Sequence, residues 1–357
     1  MTSIEVLPLA SEMMKPKLAD ASQLGFGKYF TDRMLLVEWT TEKGWHNARI
    51  KPYEPFVLDP AALVFHYAQE IFEGLKAYKW ADGRVALFRP EKNARRFNLS
   101  ATRMCMPEVP EELFLEGIKQ LVAAEQDWIP TAAGTSLYIR PTLIAVEPVL
   151  GVKPSDHYYF YVILSPVGAY YAAGFNPVNI LVEDQYVRAV PGGTGEAKTG
   201  GNYASSLKAG LEAKKKGYDQ VLWLDGRQQR YIEEVGAMNM FFAYGSNIIT
   251  SPLTGTILDG VTRDSVLTLA AKLGCTVEER LIDVQELMAD IKSGKVTEAF
   301  GSGTAAVITP VGTLCYKDEK IALGNGGVGS ITQQLYDTLT GIQTGKIPDE
   351  FGWVTIL

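Results

Sequence analysis

Lys198 stands between two glycine clusters, Gly192, Gly193 and Gly195 before it and Gly200 and Gly201 after it, in the stretch PGGTGEAKTGGNY from Pro191 to Tyr203. Glycines let a backbone take shapes that other residues resist and pass close to a bound ligand. A lysine held in such a loop loses its proton more readily than one in water, because burial can bring a lysine pKa down to about 5–6, and the neutral amine is a nucleophile. Two chemistries suit the pattern. One is a Schiff base between Lys198 and an aldehyde cofactor. The other is a phosphate loop, since Gly192 to Thr199 departs from G-x-x-x-x-G-K-[ST] only at Ala197.

A phosphate loop needs a helix that begins directly after Lys198-Thr199, so that its first amides face the phosphates. Gly200-Gly201 is expected to interrupt that helix. The run VLWLD at 221–225 imitates an acidic strand end that holds magnesium, but Asp225-Gly226 reads better as a hairpin turn. The Schiff-base chemistry instead asks for a carboxylate behind the ring nitrogen of a pyridoxal cofactor, and for separate phosphate binders. In YIEEVGAMNMFF, strand alternation sends Glu233 and Glu234 to opposite faces, one toward solvent and one inward. Gly260-Val261-Thr262 opens a helix whose amides and hydroxyl face an anion. Gly301-Ser302-Gly303-Thr304 offers a second amide-rich concavity, and each of these stretches alone also reads as an ordinary turn.

The elements that position these residues follow from pattern. Residues 1–24 carry no clear periodicity and read as an arm. Arg33 to Thr40 reads as a strand; a helix is expected from Asp59-Pro60 to about Phe72, then a hairpin through Asp82-Gly83. Pro90 opens a helix over PEKNARRFNLSATRM, Pro110 opens another to about Trp128, and two long strands follow, SLYIRPTLIAVE and HYYFYVILSPVG. The second half starts with VNILVED and places a helix over Tyr203 to Lys216. Strands through Gln220–Leu224, Arg230–Val235 and MNMFFAY come next, then helices after Gly260 and at Asp283. Strands around AFGSGTAAVITPV and a last helix from Ile331 to Ile342 complete the pattern.

Composition bounds the answer. The chain has 357 residues, 46% apolar and 21% charged, with a net charge of −7, as expected for a soluble protein of about two domains. The one basic run, Lys214 to Lys216, reads as a solvated helix end, so nucleic acid is not an expected partner. No apolar run approaches the roughly 20 residues of a membrane span, and no signal-peptide core opens the chain, which suits a cytoplasmic protein. Cys105, Cys275 and Cys315 are scattered, as are His46, His66 and His157. They offer no metal spacing and no histidine-dependent triad.

Taken together, GTGEAKTGGNY, EEVGAMNMF, LDGVTRDS and FGSGTAAVI resemble the branched-chain aminotransferases, fold-type IV pyridoxal-phosphate enzymes of class IV. GFGKYFTDRMLLVEW, FHYAQEIFEGLKAY, LFRPEKNARRF and SLYIRPTLI extend the likeness over the chain from about residue 25, toward the longer branch that includes the eukaryotic enzymes. The resemblance implies an α+β, α/β fold: a small N-terminal domain over 1–170, a linker over 171–183, and a larger domain over 184–357 with a mixed, barrel-like sheet. The cofactor, pyridoxal 5′-phosphate, would sit at the domain interface of a homodimer. Lys198 would bind it covalently and shuttle protons, Glu234 would bond the pyridine nitrogen, and Tyr203 the ring oxygen. Arg96, Val261, Thr262, Ser302 and Thr304 would hold the phosphate.

The amides of Thr304 and Ala305 would receive the substrate α-carboxylate. Phe26, Tyr67, Phe72, Tyr138 and Tyr170 would line the side-chain pocket, with Arg140 there to meet glutamate's second carboxylate. Leu150 and Val152 would reach into a partner's site. The implied reaction is transfer of the amino group of leucine, isoleucine or valine to 2-oxoglutarate. A D-amino-acid transaminase or an aminodeoxychorismate lyase of the same fold is the nearest alternative, and a non-catalytic binding module a further one. Two departures stand out: Ala237 replaces the threonine that follows the EVG motif in the eukaryotic relatives, and Ala306 and Thr309 replace their CxxC pair, so no thiol switch is expected there.

Overall fold

Along His157–Val167 half-buried and buried residues alternate through HYYFYVIL, the pattern of a strand with one face on a core. The computed structural model describes residues 3–18, 20–168 and 175–357. It divides the chain into two units, one of Met1–Ala172, Ala197–Gly200 and Ile342–Leu357, the other of Ala173–Glu196 and Gly201–Gly341. The tetrapeptide around Lys198 thus packs with the first unit, although its chain neighbours on both sides belong to the second.

In the first unit, His157–Val167 pairs antiparallel with Ser136–Ala145 on one side and with Arg33–Thr40 on the other. Beyond Ser136–Ala145 the sheet continues through Leu75–Lys79 and Val85–Phe88 to the C-terminal strand Val354–Ile356. Helices Pro90–Arg103 and Glu111–Ala124 cover it, each of 14 residues. Phe97, Phe114 and Phe160 meet between helices and sheet with ring centroids 5.4–5.9 Å apart. Pro90 takes the first helical position, where its missing N–H has no bond to lose.

The second unit closes on itself. Val178–Glu183, Gln220–Leu224, Ile232–Val235, Met238–Tyr244, Glu298–Gly303 and Val307–Tyr316 form a ring, because Ile232–Val235 pairs with Met238–Tyr244 as well as with Gln220–Leu224. Val178–Glu183 runs parallel to both its neighbours and the other pairings are antiparallel, so the barrel is mixed, as the fold class implied. Of the connection expected at 171–183, residues 171–174 lie outside those described, and Val178–Glu183 is this barrel strand. Asp283 caps the helix Val284–Lys292 by accepting from the amides of Gln285 and Glu286.

Three expected elements differ. The helix drawn from Pro60 to Phe72 is only Leu63–Tyr67; Ala68 turns left-handed at φ 49°, and Glu70–Phe72 becomes a strand on Ser136–Ala145. Pairing in the sheet outweighs the local helical pattern there. The helix expected over Tyr203–Lys216 starts earlier, at Gly200, and breaks between Ala204 and Leu207. At the break the Ser205 and Ser206 hydroxyls donate to the carbonyls of Asn202 and Tyr203, in competition with the helix ladder. The N-terminal arm is partly ordered: Glu5–Val6 pairs with Arg49 and Ile50 of Gly44–Pro52, a strand the sequence pattern had not suggested.

Candidate active site

On the helix Pro90–Arg103 the buried face carries Asn93, Arg96 and Ser100, spaced three and four residues apart. Arg96 donates from Nε and Nη2 to the two carboxylate oxygens of Glu73, at 2.7 and 2.9 Å. Asn93 Nδ2 and the Gly74 amide add 2.8 and 3.0 Å bonds to Glu73 Oε2. Burial pushes the Glu73 carboxyl up, but the Arg96 charge and paired bonds, with Lys198 and Asn93, outweigh it and hold the carboxyl below its ordinary value. Sequence reading assigned Arg96 to a phosphate and missed Glu73, whose only signal was an acid in the quoted FEGLK run.

Lys198 is pinned through its backbone: its N–H donates to Ser100 Oγ at 2.9 Å, and its carbonyl accepts from the Phe72 amide at 3.0 Å. Thr199 Oγ1 donates to the Glu70 carbonyl at 2.7 Å. The Lys198 ammonium position lies 4.9 Å from the centre of the Phe72 ring. The Arg140 guanidinium covers the same ring at 4.8 Å, and Nη2 donates to the Tyr138 hydroxyl at 3.1 Å. Phe26 meets Tyr138 edge-on at 4.9 Å. Phe26, Phe72, Tyr138, Arg140 and Lys198 are therefore one cluster. Tyr67 donates to the Leu150 carbonyl instead, and Leu150 and Val152 are 62% and 84% exposed. Tyr170 lies outside the described residues.

The helix does begin directly after Thr199, so the glycine pair does not interrupt it as expected. What fills the anion position is a protein side chain: the Gly200 amide donates to Glu70 Oε1 at 2.6 Å, and a Cβ on Gly200 would collide with that oxygen. A phosphate cannot take the Gly200 amide while the Glu70 carboxylate holds it. Burial raises the Glu70 carboxyl, with the Gly200 bond and the Arg140 charge opposing.

In the second unit Glu234, 2% exposed, projects from Ile232–Val235. Its Oε1 accepts from Asn239 Nδ2 at 3.2 Å and from the Leu258 amide at 3.0 Å; Arg188 Nη1 lies 3.0 Å from Oε2. Glu233 is buried as well, with Thr256 against its carboxyl, so the expected solvated partner is absent. Asn239 also donates to the Leu258 carbonyl, which ties the acid to the segment entering the helix Val261–Lys272. Gly260, its N-cap residue, has no side chain to cap it, and a Cβ there would collide with Asn239 Oδ1. The amides of Val261 and Thr262 open it. Ser302, on the strand Glu298–Gly303, has a buried Oγ with no partner among the described residues.

Thr304 and Ala305 follow Ser302 at the turn into Val307–Tyr316. Tyr203 is half-buried on the short helix Gly200–Ala204. A helix start with glycine at its N-cap and a buried hydroxyl with no partner among the described residues are donors that suit an anionic group. Arg188 and Asn239 had no role in the sequence reading; Asn239 lies within the quoted EEVGAMN run, whereas Arg188 carried no signal.

A family model described as amino-transferase class IV matches residues 70–314, which places the chain in that class. The chain is 56% identical over 341 residues to branched-chain-amino-acid aminotransferase 2 of Bacillus subtilis, covering 96% of this chain and 94% of that one. It is 52% identical to a branched-chain-amino-acid aminotransferase of Mycolicibacterium smegmatis, with 93% and 92% covered. Its fold is similar to the branched-chain amino acid aminotransferase from Thermobaculum terrenum in its PLP-form, at a TM-score of 0.72 and 27% identity, over 90% of this chain and 97% of that one. The chain belongs to the branched-chain-amino-acid aminotransferases.

Proposed function

We propose that the protein transfers the amino group of L-leucine, L-isoleucine or L-valine to 2-oxoglutarate and back, in two half-reactions, with pyridoxal 5′-phosphate on Lys198. The observation that carries the reading is the cluster of Lys198 with Phe72, Phe26, Tyr138 and Arg140. When bound, the cofactor supplies an electron sink for charge developing at the substrate Cα. Lys198 holds and returns the Cα proton, and its pinned backbone limits the directions its amine takes. Glu234, kept in place by Asn239 and the Leu258 amide, receives the protonated ring nitrogen. The Val261 and Thr262 amides and Ser302 Oγ would take the phosphate, with Arg96 and Thr304 given the same role, and Tyr203 the ring oxygen.

An aliphatic side chain and a second carboxylate must use one pocket in turn. Phe26, Phe72 and Tyr138 exclude water around the first, and Arg140 meets the second. The Thr304 and Ala305 amides take the α-carboxylate, and Tyr67 and Tyr170 complete the wall. The exposed Leu150, Val152, Phe65 and Val57 support a homodimer in which the first two enter the partner's site. The reading also divides the chain at 170 and 184, with a cytoplasmic setting.

The test is a visible spectrum of the purified protein before and after borohydride, with the modified peptide identified. An adduct on Lys198 that L-leucine converts to the amine form, and D-alanine does not, supports the reading. An adduct on another side chain, or conversion by D-alanine alone, overturns it.

A further inference from the structure

Glu233 is the second buried acid of the strand Ile232–Val235, and no step above uses it. Its side chain is 8% exposed; Oε1 accepts from Thr256 Oγ1 at 2.5 Å, and Oε2 has no partner among the described residues. Thr256 Oγ1 lies 3.1 Å from Oγ1 of Thr254, an exposed residue, so two hydroxyls in series join the carboxyl to solvent. Thr256 also connects Glu233 to Glu234. Its carbonyl accepts from Arg188 Nη1 at 3.1 Å, and that same nitrogen lies 3.0 Å from Glu234 Oε2.

A buried carboxylate with a single donor is poorly stabilised as an anion. Burial pushes Glu233 up to about 7; the Thr256 bond and Arg188 oppose this, and Glu234 and Asp225 add to it. Of the charges that reach it, Glu234 comes from its own strand, Arg188 from the segment after Val178–Glu183, and Asp225 from the turn after Gln220–Leu224.

We propose that Glu233 is a positioning residue for Glu234: it exchanges a proton with solvent through Thr256 and Thr254, and when ionised it draws Arg188 away from Glu234. The proton passes from the carboxyl to Thr256, from Thr256 to Thr254 and from there to water, each hydroxyl giving one proton and receiving one. With Arg188 displaced, Glu234 is left to the cofactor's ring nitrogen, and in this respect the inference rests on the cofactor reading above.

Three measurements on the full-length protein with pyridoxal phosphate bound, from about pH 5 to about pH 8, test it. An infrared difference spectrum shows a protonated carboxyl that disappears as pH rises, and Glu233→Gln removes that signal. The absorption band of the cofactor on Lys198 shifts over the same range in the wild type and not in Glu233→Gln. Because the raised carboxyl favours the folded state below its ordinary value of 4.5 and loses that advantage as pH rises through about 7, the Tm of Glu233→Gln gains roughly 2–4 °C on the wild type across the range.

Thr256→Val moves the band's transition to higher pH and Thr256→Ser restores it, which also serves if Glu233→Gln fails to fold. A band that titrates in Glu233→Gln as in the wild type overturns the proposal, with or without the infrared signal. A protein that forms no Lys198 adduct defeats the cofactor reading and the positioning role together, while the infrared signal alone still reports whether Glu233 exchanges its proton.

Discussion

Glu73 meets Arg96 through both carboxylate oxygens, with Asn93 and the Gly74 amide completing its shell, whereas Glu233 and Glu234 divide one arginine, Arg188, between them. Both regions bury acids, and burial alone favours the protonated form in each. The outcomes differ because the Arg96 charge is paired directly with Glu73 and further donors support it. Glu73 receives four hydrogen bonds and stays below its ordinary pKa; Glu233 receives one from Thr256 and rises to about 7. The first unit therefore holds a fixed charge beside Lys198, and the second holds, in Glu233, an acid whose protonation responds to its surroundings. That division suits a reaction in which one amine must stay in place while charge appears and disappears on a ring.

The largest expected effect is at the lysine. Lys198→Ala removes the proton carrier and should lower turnover by at least 10²–10⁴-fold on the order of general acid–base contributions. The Ser100 and Phe72 bonds use backbone groups, so the melting temperature should stay close to that of the wild type. A large loss of Tm together with activity would mean that the lysine side chain builds the first region rather than acting in it.

That lysine was legible from sequence because chemistry and backbone demands coincide there: a nucleophile, close approach to neighbours and a glycine at each needed place. The long strands were legible for a similar reason, since the alternation in HYYFYVIL needs no partner to be read. Glu70 and Glu73 were not, because an acid in a strand pattern reads as solvated until the sheet that buries it is known. The same applies to the pair Glu233 and Glu234, of which one was expected toward solvent, yet both are buried. Arg188 has partners at Thr256 and Glu234, 68 and 46 residues away, a relation no local pattern contains. Long-range burial made the charges what they are.

Next in size is the fixed charge. Glu73→Gln leaves Arg96 buried with its carboxylate gone, a loss of about 3–5 kcal/mol that should lower Tm by the order of 10 °C near neutral pH. The sign with pH follows from the lowered carboxyl. Its stabilisation is present above the ordinary value of 4.5 and is lost as pH falls through the folded value, so wild type and variant should converge in acid. This is the reverse of the trend expected for Glu233→Gln. Thermal melts of both variants over one pH series compare the regions directly; parallel trends would mean that the arginine paired with Glu73 does not separate them.

The smallest effect compares one substitution made twice. Thr199 and Thr256 are each 2% exposed, and each donates its hydroxyl to an oxygen of a glutamate. Thr199 bonds the backbone carbonyl of Glu70, a group that does not titrate, and Thr256 bonds the carboxyl of Glu233, which does. Thr199→Val should therefore reduce stability by about 0.5–1.5 kcal/mol, the usual net worth of a neutral hydrogen bond, equally at about pH 6 and about pH 8. Thr256→Val should show a loss that grows with pH, because the hydrogen bond it removes stabilises the ionised form more than the neutral one. Calorimetric melts of the two variants read the difference. If the Thr199 loss also grows with pH, the first region contains a titrating group coupled to its loop, and Glu70, already raised by burial, becomes the residue to substitute next.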